Sequence, residues 1–308
     1  RCCSAAFALK AGQFLPLCDE AAILVHLNYP TRNPHVMGLQ FAVKLEDSNH
    51  LCCMLDYVDG DDLERMIRSA DASLYAGGAP ATQRRLTRIA CELASAMCHL
   101  HERGVLQQDV KPANVLIRRE SMRAVLMDFG VSARGAARAA PGGRPGHELD
   151  APIKGGTLAF CSAAQRRVFM HVHSRADAAS AEQARAARRL NHRDDRFAFA
   201  ATVLEMFAGG DSWRRGKPAC EAWRKGARPL QSLALDDGRT RCALPGELKS
   251  VLERCFDAGD AATMAEVRDA LLSVCGLQLV HDVQWSAAAY MQGAGELRQH
   301  VPGLEPHL

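Results

Sequence analysis

The chain has 308 residues, of which 48% are hydrophobic and 24% charged, and this usual globular composition excludes a disordered chain. Its formal net charge is +3, from 38 basic and 35 acidic residues, which excludes a generally basic nucleic-acid coat. No apolar run approaches the length of roughly 18 residues that a membrane span requires. We therefore expect neither nucleic acid nor a membrane span.

The twelve cysteines do not follow a disulfide or zinc pattern, because no C-x-x-C pair occurs. Several lie in apolar stretches, such as Cys52 and Cys53 in LCCML. The sequence predicts that most are small core residues in a reducing, cytoplasmic compartment.

The first part of the chain predicts a small β-rich region. Residues 4–10 form an apolar strand, and residues 16–28 carry apolar side chains at helical spacing. Strand-like runs follow at 36–43 and 50–57, and the polar residues 59–62 predict a turn.

The rest of the chain is mainly helical in pattern. Residues 81–103 form an amphipathic helix that ends at Gly104. Short apolar runs at 115–117 and 124–127 follow, and residues 134–152, rich in Gly, Ala, Pro and Arg, predict a long loop. Further helices are expected at 177–190 on the surface, at 197–207 buried on all sides, and at 248–256 and 264–274.

This order predicts an α+β fold with two lobes. We expect a small, incomplete β-rich lobe over residues 1–55 and a hinge over 56–62. A larger helical lobe is expected over 63–280, followed by a tail over 281–308.

The strongest chemical signal is Asp109-Val110-Lys111-Pro112-Ala113-Asn114, followed by Asp128-Phe129-Gly130. The segments VLQQDVKPANVLI and LMDFG closely resemble the catalytic loop and metal-binding motif of eukaryotic protein kinases. Phosphoryl transfer requires positioning and neutralisation of phosphate charge, which these residue types supply.

The resemblance implies a role for each polar residue of these motifs. Asp109 would orient the proton of the attacking hydroxyl, and Lys111 would stabilise the transferring phosphate. Asn114 and Asp128 would supply oxygen ligands to Mg²⁺. Lysine two residues after the aspartate, with Gly156-Thr157 later, is the serine/threonine pattern. The implied reaction transfers phosphate from ATP, with Mg²⁺, to a serine or threonine of a protein.

Other matches extend the resemblance over roughly residues 4–275. Lys10 in FALK would hold the α- and β-phosphates, and Glu20 would pair with it. Asp195 would fix the backbone of the catalytic loop. The nucleotide would also contact the hinge: Leu55 as gatekeeper, the backbone of Asp56 to Val58 at adenine, Asp62 at the ribose and Leu116 beneath the adenine ring.

The chain departs from the family at several motifs. No Gly-rich loop precedes Lys10, so we expect that loop to lie upstream or the lobe to be truncated. The family's His-Arg before the aspartate is Gln107-Gln108, and its Pro-Glu is absent from Ser162-Ala163-Ala164. The arginine that pairs with that glutamate is absent too, which predicts a matched loss of one buried ion pair.

The uncharged Gln108 cannot form an ion pair with a phosphate. Ser132 is the single hydroxyl between Gly130 and Gly155. These two observations predict that activity does not depend on phosphorylation of this segment.

Two other function classes stay open at this point. A pseudokinase, acting as a nucleotide-binding or scaffold module, is favoured by the altered motifs. A small-molecule phosphotransferase of the aminoglycoside-kinase type shares the aspartate–asparagine–aspartate chemistry, but Lys111 and Gly156-Thr157 argue against it.

Overall fold

A computed structural model describes residues 7–45, 50–138, 148–166, 189–209, 241–257, 262–275, 283–284 and 304–306. The fold is α+β, with a small lobe around an antiparallel sheet and a larger, mainly helical lobe. The predicted fold class is therefore confirmed.

The small lobe is built on strands β1 (Phe7–Gln13), β2 (Thr31–Arg32), β3 (Leu39–Leu45) and β4 (His50–Asp56), and helix α1 (Phe14–Asn28). Its main sheet has β4 between β1 and β3. Helix α1 follows β1 without a loop and buries Leu17, Leu24 and Leu27 against the core. This direct junction places the end of β1 beside the second turn of α1.

The larger lobe contains helices α2 (Leu63–Ser69), α3 (Ala72–Tyr75), α4 (Gly78–Glu102), α5 (His192–Ala208), α6 (Gly246–Phe256) and α7 (Met264–Cys275). Its short strands are β5 (Gly60–Asp62), β6 (Val105–Leu106), β7 (Val115–Arg118), β8 (Ala124–Leu126), β9 (Ala133–Arg134), β10 (Ala136–Arg138), β11 (Glu148–Pro152) and β12 (Arg189–Asn191). Two further strands, β13 (Val283–Gln284) and β14 (Leu304–Pro306), pair with β2 and β3.

Helices α4 and α5 form the centre of the larger lobe. The stripe of α4 from Leu86 to Leu100 is buried, as its spacing predicts. Helix α5 begins at a capping box between Asn191 and Asp194 and is buried along nearly its whole length. Because α5 is buried on nearly all sides, it serves as the scaffold against which the polar loops of the lobe are fixed.

Two local predictions are wrong. The described parts of residues 134–152 contain strands rather than one long loop, because β11 pairs with β10 and β12 and buries Leu149 and Ala151. Residues 139–147 lie outside the described residues. Residues 60–62 form β5, which pairs with β7, rather than a turn. Both errors come from strand pairing with distant residues, which a local pattern does not reveal. Most of the helix predicted at 177–190 lies outside the described residues.

The prediction that most cysteines are core residues is confirmed where the structure describes them: seven of the eight described free thiols are buried, and Cys18 is partly exposed. None of the helices in the described ranges combines the length and the hydropathy that a membrane crossing requires.

Candidate active site

Lys10 joins three segments of the chain in the cleft between the lobes. Its ammonium nitrogen lies 2.7 Å from both carboxylate oxygens of Glu20 on α1 and 3.2 Å from Oδ1 of Asp128. Burial alone would lower the pKa of Lys10, but the hydrogen bond and charge of Glu20 and the charge of Asp128 raise it above its ordinary value. Lys10 is therefore a permanent cation.

The position of Asp128 depends on its backbone. Its φ of +60° lies in the left-handed region, which non-glycine residues rarely adopt outside functional sites. The next residue, Phe129, is buried, and its N–H lies 3.4 Å from Oε1 of Glu20. The half-exposed Asp128 side chain is thus presented to the cleft while Phe129 anchors the loop in the core.

A second charged cluster surrounds Asp109. Its Oδ2 accepts hydrogen bonds from Nζ of Lys111 at 2.7 Å and from Nδ2 of Asn114 at 3.2 Å. Lys111 also donates to Oγ1 of Thr157 at 2.8 Å. The other oxygen, Oδ1 of Asp109, is buried and has no hydrogen-bond donor in the part of the chain that the structure describes. It is an acceptor that a substrate hydroxyl would satisfy.

Asp195 fixes the backbone of the catalytic loop, as the resemblance implies. Its carboxylate, almost wholly buried at the start of α5, accepts the backbone N–H groups of Gln107 and Gln108, both at 2.8 Å. His101 lies 3.0 Å from the same carboxylate. The N-terminal position on α5 favours the negative charge.

Gln107 connects the two charged clusters. Its side-chain oxygen accepts the N–H of Asp109 at 2.6 Å, and its side-chain nitrogen donates to the carbonyl oxygen of Asp128 at 2.9 Å. One neutral amide therefore links two loops: the one that carries the predicted base, Asp109, and the one that carries the predicted metal ligand, Asp128. The sequence indicated only that the family's histidine is missing here.

Three hydrogen bonds hold the end of the segment from Asp128 to Gln165, which we name the activation segment and which the structure describes over 128–138 and 148–165. Ser162 donates its hydroxyl to Asp194 in the first turn of α5. Gln165 donates from Nε2 to the carbonyl oxygens of Gln108 and Gly155, at 3.1 and 3.2 Å. These contacts anchor the segment where the predicted ion pair of the family is absent.

The predicted hinge residues connect β4 of the small lobe to β5 of the larger lobe. Asp56 donates its N–H to the carbonyl oxygen of Gly38 at 2.9 Å, and Val58 is buried. Asp62 faces the half-buried Leu116 across the β5–β7 pair. One oxygen of Asp62 caps α2, accepting the N–H of Arg65 at 2.8 Å. The nucleotide contacts of these residues stay predictions.

The residues predicted to bind Mg²⁺ offer two oxygen ligands. Asn114 is buried beside Asp109, and Asp128 is half exposed to the cleft. The described residues contain no group of three or more His, Cys, Asp or Glu that is arranged to hold a metal ion. Two protein oxygens fit Mg²⁺, which usually keeps water and phosphate oxygens as its remaining ligands.

Comparison with known proteins finds similarity over part of the chain, which includes Glu20, Asp109 and Asp128. Residues 16–142 match the family model of the protein kinase domain. The serine/threonine-protein kinase PknF of Mycobacterium tuberculosis is 33% identical over 117 residues, 37% of this chain and 21% of PknF. Ribosomal protein S6 kinase alpha-3 of Homo sapiens is 32% identical over 119 residues, 37% of this chain and 13% of that protein.

A yeast relative gives the same result: the serine/threonine-protein kinase ppk31 of Schizosaccharomyces pombe is 31% identical over 99 residues, 32% of this chain and 8% of that protein. The chain thus spans about a fifth of PknF and less of the other two. The family match covers Glu20, the catalytic loop and Asp128, and the fold brings these residues together around Lys10 and Asp109. Together these findings show that residues 16–142 are similar to the protein kinase domain and that their polar residues meet Lys10 in one site.

Proposed function

We propose that the chain is an ATP- and Mg²⁺-dependent protein serine/threonine kinase. The observation that carries the proposal is the contact of Lys10 with both Glu20 and Asp128. Three segments far apart in sequence place their charges at one point of the cleft, where a triphosphate and its metal ion require them.

Each residue of the second cluster has a role in the transfer. The substrate hydroxyl oxygen attacks the γ-phosphorus, its proton moves to Asp109, and the bond from the γ-phosphorus to the β–γ bridging oxygen breaks to release ADP. Lys111 neutralises charge on the transferring group, and its bond to Thr157 fixes the ammonium group beside Asp109. When bound through Asn114 and Asp128, Mg²⁺ supplies further neutralisation of the phosphate charge.

The nucleotide would lie between the lobes. Lys10 would hold the α- and β-phosphates, with its charge kept by Glu20. The hinge backbone from Asp56 to Val58 would face adenine, and Leu116 would lie beneath the ring. Asp62 retains one carboxylate oxygen beyond the one that caps α2, and this oxygen would bond the ribose.

A serine or threonine of a protein is the proposed acceptor. The Lys111–Thr157 contact supports this class, because it forms the serine/threonine pattern in three dimensions. The three relatives named above are called serine/threonine or ribosomal protein S6 kinases. We also propose a cytoplasmic location, since the described cysteines are free thiols.

The direct test follows radiolabelled phosphate from ATP to a mixture of serine-, threonine- and tyrosine-containing peptides. We expect label on serine or threonine in the presence of Mg²⁺ and none after chelation by EDTA. Label on tyrosine alone would contradict the acceptor class.

The altered motifs at Gln107-Gln108 and Ser162-Ala163-Ala164 favour a second candidate, a pseudokinase. The same assay distinguishes the two proposals. Mg²⁺-dependent nucleotide binding with no transfer to any peptide would support the pseudokinase and contradict the enzyme.

A further inference from the structure

The activation segment lacks an accessible site for phosphorylation before Gly155. Ser132 is the single hydroxyl-bearing residue between Gly130 and Gly155. Its side chain is buried, and its Oγ donates to the carbonyl oxygen of Gln107 at 3.3 Å. A second kinase would have to unfold this contact to reach it. Another feature must therefore order the segment.

Gln108 makes two hydrogen bonds to the backbone of the segment. Its Nε2 donates to the carbonyl oxygen of Pro152, and its Oε1 accepts the N–H of Lys154, both at 2.8 Å. A single amide thus supplies the donor and the acceptor that a neighbouring β-strand would offer. We name this pair of contacts the Gln108 clamp.

The backbone of Gln108 is also fully hydrogen bonded. Its N–H donates to Asp195 at 2.8 Å, and its carbonyl oxygen accepts Nε2 of Gln165 at 3.1 Å. The residue has a φ of +67° and is 3% exposed. A left-handed glutamine persists only where its surroundings determine it strongly. All four polar groups of Gln108 therefore fix its orientation toward the segment.

The clamp continues to the small lobe through Lys154. While its N–H is held by Gln108, its Nζ lies 2.8 Å from Oδ2 of Asp19 on α1. Asp19 precedes Glu20, the partner of Lys10. This exposed ion pair contributes little by itself, but it shows that one residue contacts the catalytic loop and α1 without any phosphate group.

We propose that Gln108 is a positioning residue that holds the activation segment in its transfer-competent arrangement through neutral hydrogen bonds, so that no phosphorylation is needed. This inference rests on the proposed kinase function. Its physical basis is that an amide pairs with a backbone N–H and C=O, whereas a cation in this place would leave the N–H of Lys154 without an acceptor.

Two variants test the clamp, and one variant serves as a control. Gln108→Glu keeps the acceptor for Lys154 but places a carboxylate against the carbonyl of Pro152. Gln108→Asn suits a left-handed backbone at least as well but is one methylene too short to span both partners. Gln83→Glu is the matched control, because its Nε2 also donates to a backbone carbonyl, that of Ala243, far from the cleft.

Two readouts apply to the unphosphorylated full chain. We expect both Gln108 variants to lower kcat by about tenfold or more and to leave KM for ATP within about twofold. Hydrogen exchange at the Lys154 amide should rise by about tenfold in Gln108→Asn, which loses the acceptor for this N–H. Amides within α5 should keep wild-type protection, which a general loss of stability would not allow. The control Gln83→Glu should match the wild type in its kinetics and in hydrogen exchange at the Lys154 amide.

Wild-type exchange at Lys154 in Gln108→Asn would overturn the proposal, and so would wild-type kcat in the same variant. If the wild-type chain transfers no phosphate, the kinase proposal fails, and the exchange of Lys154 still decides whether the clamp orders the segment.

Discussion

The phosphate-facing part of the site and the part that anchors the activation segment are built from different groups. The first consists of charges: Lys10, Glu20 and Asp128 in one cluster, and Asp109 with Lys111 in the other. The second consists largely of neutral amides, those of glutamines 107, 108 and 165, together with the Ser162 hydroxyl. The first part thus joins charged side chains to one another, whereas the second part joins neutral groups to the backbone and to the carboxylates of Asp194 and Asp195.

Electrostatics explains this division. A triphosphate and a metal ion carry charge that only ionised side chains neutralise. Backbone N–H and C=O groups need a partner but no charge, and an amide satisfies both. Neutral side chains therefore suffice to contact the backbone of the segment. The buried carboxylates of this part, Asp194 and Asp195, lie at the N-terminus of α5, which favours negative charge.

The first prediction concerns the proposed base. Asp109→Asn keeps the shape of the side chain but removes the proton acceptor, so transfer should fall by at least about 100-fold. Binding of ATP should be retained, because the asparagine does not alter the Lys10 cluster. Asp59→Asn, which removes an exposed carboxylate near Arg119, is the control. Transfer at the parent rate by Asp109→Asn would contradict the role of Asp109.

The second prediction concerns the metal ligand. Asp128→Asn should weaken Mg²⁺-dependent ADP binding by about tenfold or more, because a carboxylate ligand and the partner of Lys10 are both lost. Titration calorimetry with and without Mg²⁺ measures this loss. An unchanged Mg²⁺ dependence would show that Asp128 is not a ligand.

The third prediction concerns His192, which lies behind the amide-rich part of the site. Burial is the main cause that lowers its pKa from 6.5 to about 4, and the charges of His101, Arg196 and Arg193 add to it, against an opposing effect of Asp195. Both ring nitrogens are buried and have no hydrogen-bond partner among the described residues.

The unfolded chain binds this proton near pH 6.5, whereas the folded protein binds it only near pH 4. Stability is therefore complete above pH 6.5 and is lost as the pH falls toward 4, by at most about 3 kcal/mol. His192→Gln should remove this part of the pH dependence in urea unfolding between pH 7 and 4.5. The control His50→Gln, at an exposed histidine, should leave this pH dependence unchanged. If the free energy of unfolding of His192→Gln changed with pH as steeply as that of the wild type, His192 would not be the source of the pH dependence.

The fourth prediction concerns the end of the activation segment. Ser162→Ala removes the hydroxyl donor to Asp194, whose pKa is already raised, mainly by burial. The free energy of unfolding should fall by about 1–2 kcal/mol. Ser250→Ala, at an exposed serine on α6, is the control and should have little effect. A Ser162→Ala protein as stable as the wild type would show that the contact does not replace the missing ion pair.

The charged part of the site was predictable from the sequence. Asp109, Lys111 and Asn114 lie within six residues, so one loop brings them together. The pairing of Lys10 with Glu20 followed from the family resemblance, since a strand residue and a helix residue have no local reason to meet.

The amide-rich part was not predictable in the same way. Gln108 contacts Pro152 and Lys154, which lie more than 40 residues later, and only its left-handed backbone aims its side chain at them. Residues 134–152 looked like a loop because their strands depend on pairing with other segments, β9 with β6 and β11 with β12. The sequence indicated that charges were missing, but not which groups take their place.

The most direct test of the account compares phosphoryl transfer by the purified chain before and after phosphatase treatment. A neutral clamp has no phosphate to lose, so we predict the same rate of transfer to serine and threonine peptides, within about twofold. A fall of about tenfold or more after treatment, reproduced by Ser132→Ala, would contradict the account and show that the activation segment is ordered by phosphorylation.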